Sequence, residues 1–508
     1  MRIVSLSSED IGLKERIAHI LELSPNAIAI EAGNEKIAWS ELKAASKAVE
    51  ALLTRIGIVD GAPVGWIAKN TPTAVVAFVA LIMSDRMVVP LRPSFNETSL
   101  VEDIKTQRLQ AVIGDTNDWK DEAALTAAGD VGSVAIELSG PPFSSHAIEG
   151  LAQVGSGPHR ENAQDFILER LTSGTTGAPK RIPVSRDALL PSLRSSKSQS
   201  QVPPLPDSLQ RSPALLFKPF SHAGGLFGLL SALHDARPII LFEKFNVAQW
   251  IKAVEIHRPK AASLVPAMIR MILEASPHPS SLSSLLAIRS GTAPLEPEIQ
   301  IEFEAKYGIP ILIDYGAAEF IGGLAGWTLA DYKEFGVSKR GSVGRARGDV
   351  QLRVVDSKTF SVVSPGNIGL IEVKSDRYGP DWIRTNDLAL IDEDDFIFLE
   401  GRADDAINRG GFKVLPEVVA SVLRSHAHIA DAIVIAQPDA RLGQVPIAAL
   451  EIAEGAPRPA SDDLDALLRT RLPAYMVPVA YHWLDALPRT VSMKVDRPAL
   501  SKILESKE

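Results

Sequence analysis

An α/β fold is the expectation from this sequence: a large N-terminal domain of two doubly wound sheets plus a small β-barrel-like sheet, followed by a smaller α+β domain. Three observations carry it. Strands alternate with helix-length apolar runs from Ala62 to Asp115, and again from Ala214 to Gly316. From Gly341 to about Glu400, strands follow one another with no helical pattern between them. Beyond Gly401, helical and strand patterns mix to the end of the chain.

In the first block APVGWIA reads as a short strand, TPTAVVAFVALIM as a helix, and MVVPL and AVIGD as β-branched strands. The second block pairs ALLFKPF with HAGGLFGLLSAL, RPIILF with NVAQWIKAVEIHR, AASLVP with AMIRMILEA, LLAIRSG with EPEIQIEFEAKY, and ends on PILIDYG. Helices between strands imply crossover connections, hence parallel sheets with helices on their faces. Two blocks predict two such sheets. DVQLRVVD, GNIGLIEVKS, WIRTNDLALID and FIFLEG leave no helix for a crossover, so they predict an antiparallel sheet or small barrel. In the tail, PEVVASVLRSH and DDLDALLRTRL read as helices, ADAIVIAQ and VPIAALEIA as strands. The expected domains are 1–401 and 402–508. Two polar stretches, Ser139–Asp165 and Ser195–Ser212, read as surface connections, and no internal repeat stands out.

The 508 residues include 53 Lys and Arg against 62 Asp and Glu, a net charge of −9. No basic stripe is available to neutralise phosphates, which argues against a nucleic-acid partner. An apolar share of 45% is enough for a full core. Cysteine is absent, which removes disulfide scaffolds, thiolate metal sites and cysteine nucleophiles. The opening MRIVSLSSEDIGLKERIAHI lacks the apolar run of a signal peptide. The longest apolar stretch, Ala74 to Met83, is about half of what a membrane span needs. A soluble cytoplasmic protein is expected, without a lipid anchor.

LTSGTTGAPK (Leu171–Lys180) is the first segment that suggests chemistry. Small residues let backbone N–H groups converge, and the hydroxyls of Thr172, Ser173, Thr175 and Thr176 add donors around Gly174 and Gly177, so the loop can cradle phosphate. It is not the Walker pattern, because Gly-Lys-Ser/Thr never appears. Taken alone, the loop reads equally as a polar turn between strands.

Five further segments follow: RSGTAPL (Arg289–Leu295), DYGAAE (Asp314–Glu319), WIRTND (Trp382–Asp387), GRADDAINRGGFKVLPEVV (Gly401–Val419) and LPRTVSMKVDR (Leu487–Arg497). With the loop, these six in this order resemble the adenylate-forming superfamily of acyl-CoA synthetases, peptide-synthetase adenylation domains and luciferases, over nearly the whole length. The resemblance implies that a carboxylate is joined to the α-phosphate of ATP with release of pyrophosphate, and then passed to the thiol of coenzyme A. It implies a phosphate loop at Thr172–Gly177 with Lys180. An adenine wall at Gly291, Thr292, Ala293 and Pro294, and a nucleotide face at Asp314, Tyr315 and Gly316, follow from it too. Asp387 and Arg402 would lie at the ribose; a carboxylate offers two acceptors to a vicinal diol. Glu319 would hold Mg²⁺, a hard carboxylate for a hard cation. Thr175, Glu319 and Lys494 form the implied catalytic set, with the Lys494 ammonium bridging carboxylate and phosphoryl oxygens. Asp404 matches the hinge of a mobile C-terminal domain, and Gly410, Gly411 and Lys413 the face turned to the thiol channel.

Departures from the family pattern are Ala318 for a usual Thr, and Met493, Asn386 and Arg181 for usual glycines. None deletes a charged group needed for adenylation.

FSHAGGLFGLL (Phe220–Leu230) resembles the helix lining the acid pocket, with Phe220, His222, Gly225, Leu226, Val265, Gly291 and Gly316 as expected walls. No carboxylate stands at His222 to pair an α-ammonium, so amino acids are disfavoured. Glycine at 316 leaves the tunnel open to an aryl or longer aliphatic acid, bound chiefly by apolar burial. The leading expectation is an acid–CoA ligase. A carrier-protein loader and a low-turnover nucleotide-binding homologue stand beside it, either as monomer or homodimer. The remaining histidines form no metal-binding pattern, and His426 and His428 read as a solvated turn.

Overall fold

PVGWI and MVVPL are buried at every position, as strands covered on both faces must be. In the computed structural model, which describes residues 12–93, 99–172, 180–195, 205–317, 320, 322–490 and 493–506, they form the centre of a seven-stranded sheet. Its order is Ser144–Ala147, Val134–Ser139, Ala111–Asp115, Pro63–Ile67, Met87–Leu91, Phe166–Thr172, Lys180–Ser185. The five inner strands run parallel and both edge strands antiparallel. Helix Pro72–Met83 is apolar all round and almost wholly buried. It starts where Thr71 Oγ1 accepts the Ala74 N–H at 3.3 Å, with proline in its first turn.

Contacts divide the chain into two units. The first holds Met1–Ala262, Ser280–Leu285 and Ala318–Gly322; the second holds Ser263–Pro279, Leu286–Ala317 and Gly323–Glu508. Besides the seven-stranded sheet, the first unit contains a four-stranded sheet ordered Ala214–Leu216, Ile239–Leu241, Ile28–Ala32, Glu35–Ala38. The α/β class stands, but the strands of the second sequence block part between two sheets. Ile239–Leu241 takes Ile28–Ala32 as its parallel neighbour, while Ala261–Leu264, Ala287–Ser290 and Ile311–Tyr315 continue into the short strands Ala325–Gly326 and Arg345–Ala346.

In the second unit, Gln351–Val355, Gly369–Lys374, Ile383–Ile391 and Ile397–Arg402 form the expected antiparallel sheet. Beyond it, Phe412–Val414, Ile407–Arg409, Gly443–Ile452, Ile429–Asp439 and Tyr481–Leu484 make a five-stranded sheet. Helices Pro416–Arg424 and Ser461–Arg471 cover it through Val419, Leu423, Leu464 and Leu468. The expected 401/402 boundary would fall inside strand Ile397–Arg402, before its last residue, whereas the division by contacts comes after Ala262.

One expectation needs correction. Ser139–Asp165 is not connection throughout, because Ser144–Ala147 is an edge strand paired with Val134–Ser139. Its half-exposed alternation hides it among polar residues. Residues 196–204 of the other stretch lie outside the described residues. Among the described residues no helix is long and apolar enough to cross a membrane.

Candidate active site

Strand Ile311–Tyr315 ends with Tyr315 buried and Gly316 exposed. The Tyr315 hydroxyl donates to Asp387 Oδ2 at 2.6 Å. Asp387 stands directly opposite Arg402 in the pairing of Ile383–Ile391 with Ile397–Arg402, and Arg402 Nη1 donates to Asp387 Oδ1 at 3.3 Å. The same guanidinium reaches Asp404, with Nε donating to Oδ1 at 2.9 Å and Nη2 to Oδ2 at 2.8 Å. Asn386 Nδ2 adds a bond to Asp404 Oδ2 at 3.2 Å. The bonds to Asp404 hold the Arg402 guanidinium firmly charged and hold the Asp404 carboxyl below its ordinary range.

Asp314 is held by Arg289 Nη1 at 3.1 Å and by the buried Arg347. Gly291 follows strand Ala287–Ser290 where a Cβ would lie 2.7 Å from the Asp314 carbonyl oxygen, so only glycine permits this approach. Thr292, Ala293 and Pro294 are exposed beside it. Thr292 adopts φ +75, a left-handed conformation that is strained for a β-branched residue.

Lys494 sits in a loop closed by Thr490 N–H donating to Lys494 O at 2.8 Å and Met493 N–H donating to Thr490 O at 2.9 Å. Met493 has φ +65, a backbone state that glycine adopts freely and methionine at a cost. That turn gives a physical reason for the glycine usual in the family at this position. Lys494 keeps exposed surface as a residue, while its ammonium is partly desolvated. This desolvation, with the positive charge of Arg402, pushes its pKa below the ordinary lysine value. Hydrogen bonds thus group Tyr315, Asp387, Arg402, Asp404 and Asn386, and Lys494 is linked to them through the charge of Arg402.

Gly410 (φ +56) and Gly411 (φ +91) form the two-residue turn between Ile407–Arg409 and Phe412–Val414, the mirror-image turn that suits a twisted hairpin. Lys413 is exposed, as is Phe412, which stacks on Tyr475 at 4.9 Å.

In the first unit, Phe220 is fully buried and stacks on Trp66, and His222 caps helix Ala223–His234 without a side-chain cap bond. Asn70, which sequence reasoning missed, ties this entry together. Its Oδ1 accepts the Phe220 N–H at 3.0 Å, and its Nδ2 donates to Lys218 O at 3.1 Å and Phe242 O at 3.2 Å. A Cβ on Gly225 would lie 2.1 Å from the Pro219 carbonyl oxygen, so the turn and the helix touch backbone to backbone. Leu226 is buried, and Lys180 is exposed at the start of its strand. Of the other expected acid-pocket residues, Val265 (buried), Gly291 and Gly316 belong to the second unit. Ser173, Gly174, Thr175, Thr176, Gly177, Ala318, Glu319 and the Thr172 side chain lie outside the described residues. Arg347 was also missed; it stands far along the chain from Asp314, in no recognisable motif.

Residues 17–378 match the family described as AMP-binding enzyme, and residues 419–494 match the AMP-binding enzyme C-terminal domain. A 2-succinylbenzoate–CoA ligase of Bacillus pumilus is 26% identical, over 95% of this chain and 96% of the relative. A long-chain-fatty-acid–CoA ligase of Bacillus subtilis is 23% identical, over 94% of this chain and 91% of the relative. The crystal structure of ATP-bound MatB from Rhodopseudomonas palustris superposes with a TM-score of 0.79 at 24% identity, over 97% of this chain and 99% of that one.

Proposed function

We infer the activity from the family: the chain belongs to the AMP-binding enzymes and acts as an ATP-dependent acid–CoA ligase. The observation that carries this reading is the hydrogen-bonded grouping of Tyr315 with Asp387 and Arg402, the latter two opposite each other on adjoining strands; the positive charge of Arg402 also acts on Lys494. In the first half-reaction a carboxylate oxygen attacks the α-phosphorus of ATP, the bond to the bridging oxygen breaks, and pyrophosphate leaves. Asp387 accepts hydrogen bonds from the ribose hydroxyls, Tyr315 lies against the adenine, and the Lys494 ammonium offsets the charge gathered where two anions meet. Glu319, which lies outside the described residues, would hold magnesium as a hard oxygen ligand, and the ion would supply further positive charge to the phosphates. In the second half-reaction a thiol attacks the acyl carbon, the bond to AMP breaks, and the thiol proton passes to solvent. Residues 402–508 turn about Asp404 between the two, withdrawing Lys494 and presenting Gly410, Gly411 and Lys413.

The acid is hydrophobic, aryl or medium-to-long aliphatic. No carboxylate stands at His222 and no side chain at Gly316, and relatives are named for succinylbenzoate and for long-chain fatty acids. Loading of a carrier-protein phosphopantetheine is the second reading; the exposed Phe412 beside the Gly410–Gly411 turn favours it, since such a residue suits a protein contact.

Pyrophosphate release with MgATP is measured across benzoates, cinnamates, fatty acids and amino acids, with and without CoA. Release that multiplies with CoA, together with a detected acyl-CoA, is expected. A single burst of adenylate that CoA cannot discharge would instead identify the carrier loader. Lys494→Ala should slow adenylation by roughly a hundredfold or more, while thioester formation from supplied acyl-adenylate suffers far less. Equal loss in both halves would overturn the assignment of Lys494.

A further inference from the structure

Charged side chains are seldom buried unless they are paired, and the second unit holds a connected chain of them that is buried at Glu296 and Asp431. It begins in the loop that carries Lys494. Arg489 Nη2 lies 2.8 Å from Asp431 Oδ2 and 3.4 Å from Glu451 Oε2, and its Nη1 donates to Met493 O at 3.4 Å. Glu451 also accepts the Leu487 N–H at 2.9 Å. Asp431 Oδ1 lies 3.9 Å from Arg424 and 4.0 Å from Arg270. Arg424, at the end of helix Pro416–Arg424, pairs with both Glu417 and Glu296. Arg270, from helix Pro266–Ala275, pairs with Glu296 from the other side. Glu296 is the meeting point. Its side chain is 4% exposed, and it follows directly on the Gly291–Leu295 segment.

The chain of charges crosses residue 402. Arg270 and Glu296 lie before it; Glu417, Arg424, Asp431, Glu451 and Arg489 lie after it. Among the described residues of this chain of charges, the Glu296–Arg424 and Arg270–Asp431 joins are the ones that cross it. Each side keeps pairs of its own, Arg270 with Glu296 and Asp431 with Arg489. A join of this kind suits a reversible contact. Ion pairs gain little net over their own solvation, so separated halves that rehydrate lose less than two parted apolar faces.

We propose that Glu296 is a positioning residue for adenylation. It clamps Arg424 and, through Asp431 and Arg489, fixes the loop that presents Lys494. The clamp opens when residues 402–508 turn for the thioester step. This rests on the two-step reading given above.

The test is Glu296→Gln, which keeps the shape and removes the charge, assayed in each half-reaction separately. Acyl-adenylate formation should fall about tenfold with little change in the KM for ATP, whereas thioester formation from supplied acyl-adenylate should hold or rise. Glu296→Asp, which keeps the charge, should recover most of the adenylation rate. Equal loss in both half-reactions, or loss in neither, overturns the proposal. Should Glu296→Gln not accumulate as folded protein, Arg424→Gln removes the other, more exposed partner of the clamp and is read in the same way. Lys494→Ala is run alongside. If it depresses both halves alike, the two-step reading itself fails; if it splits them and Glu296→Gln does not, only the clamp fails.

Discussion

Gly224 and Gly225 are neighbours in the first turn of helix Ala223–His234, and the structure assigns their alanine variants opposite signs. A Cβ on Gly224 would have its nearest neighbour at 3.7 Å, the Lys218 Cδ, an ordinary contact with a flexible side chain. Alanine there gains helix propensity and restricts the unfolded chain, worth about 0.5–1 kcal/mol. A Cβ on Gly225 would meet the Pro219 carbonyl oxygen at 2.1 Å and the Lys218 carbonyl oxygen at 2.5 Å. Both contacts are backbone, so relief requires the turn or the helix to retreat by roughly an ångström, and overpacking of this kind costs about 1–3 kcal/mol. That turn is the one Asn70 ties at Phe220 and Lys218, so the displacement reaches the expected acid-pocket wall. Thermal unfolding should place Gly224→Ala at or above the parent and Gly225→Ala several degrees below it. In pyrophosphate release Gly225→Ala should raise the KM for the acid at least threefold, with the KM for ATP unchanged. A Gly225→Ala protein as stable as the parent, or a KM shift confined to ATP, would refute the reasoning.

Asp387→Asn weakens the charge-assisted bonds to Arg402 and Tyr315, so the KM for ATP should rise about tenfold or more, while Tyr315→Phe, which loses one hydrogen bond worth about 0.5–1.5 kcal/mol, should raise it less; initial-rate titration of ATP separates the two. Lys494 must be charged to assist adenylation, and desolvation with Arg402 lowers its pKa. The rate should therefore fall with rising pH at a point below the usual lysine value, and Arg402→Gln should move that limb upward in a pH–rate profile. Burial and the neighbouring Asp115 push the Asp118 carboxyl from 3.8 up to about 6. The folded state then holds more protons than the unfolded one between those values, so this group's contribution to stability declines as pH rises from about 4 to 6 and levels above. Melting temperatures across that range should show a shallower decline in Asp118→Asn.

Strand–helix alternation was legible because burial imposes its period directly on the residues, as in PVGWI, buried throughout, and the apolar helix Pro72–Met83. Which sheet a strand joins was not legible. Ile239–Leu241 pairs with Ile28–Ala32 from the far end of the unit, and periodicity carries no information about partners. Hairpin Ile407–Val414 escaped because its strands are three residues each, too short for alternation to register. The residues that hydrogen bonds join in the candidate site, Tyr315, Asp387, Arg402 and Asp404, all stand in segments that the sequence marks. The supports do not. Asn70, Arg347 and the ionic chain through Glu296 join residues that the sequence separates widely, and an isolated polar residue gives no sign of its partner. The left-handed Thr292 is likewise invisible in sequence, since threonine ordinarily avoids that backbone state, whereas Met493 is marked by standing where the family usually has glycine.

The rung that pairs Asp387 with Arg402 also has an evolutionary consequence. Arg402 is shared between Asp387 and Asp404, and Asn386, where the family commonly has glycine, adds its own bond to Asp404. These four positions form one mutational unit spanning the residues assigned to the nucleotide and to the pivot. A change at any of them alters what the others can hold, so drift at 386 or 404 is constrained by selection at 387 and 402. Lineages that exchange one of the four are expected to exchange another with it.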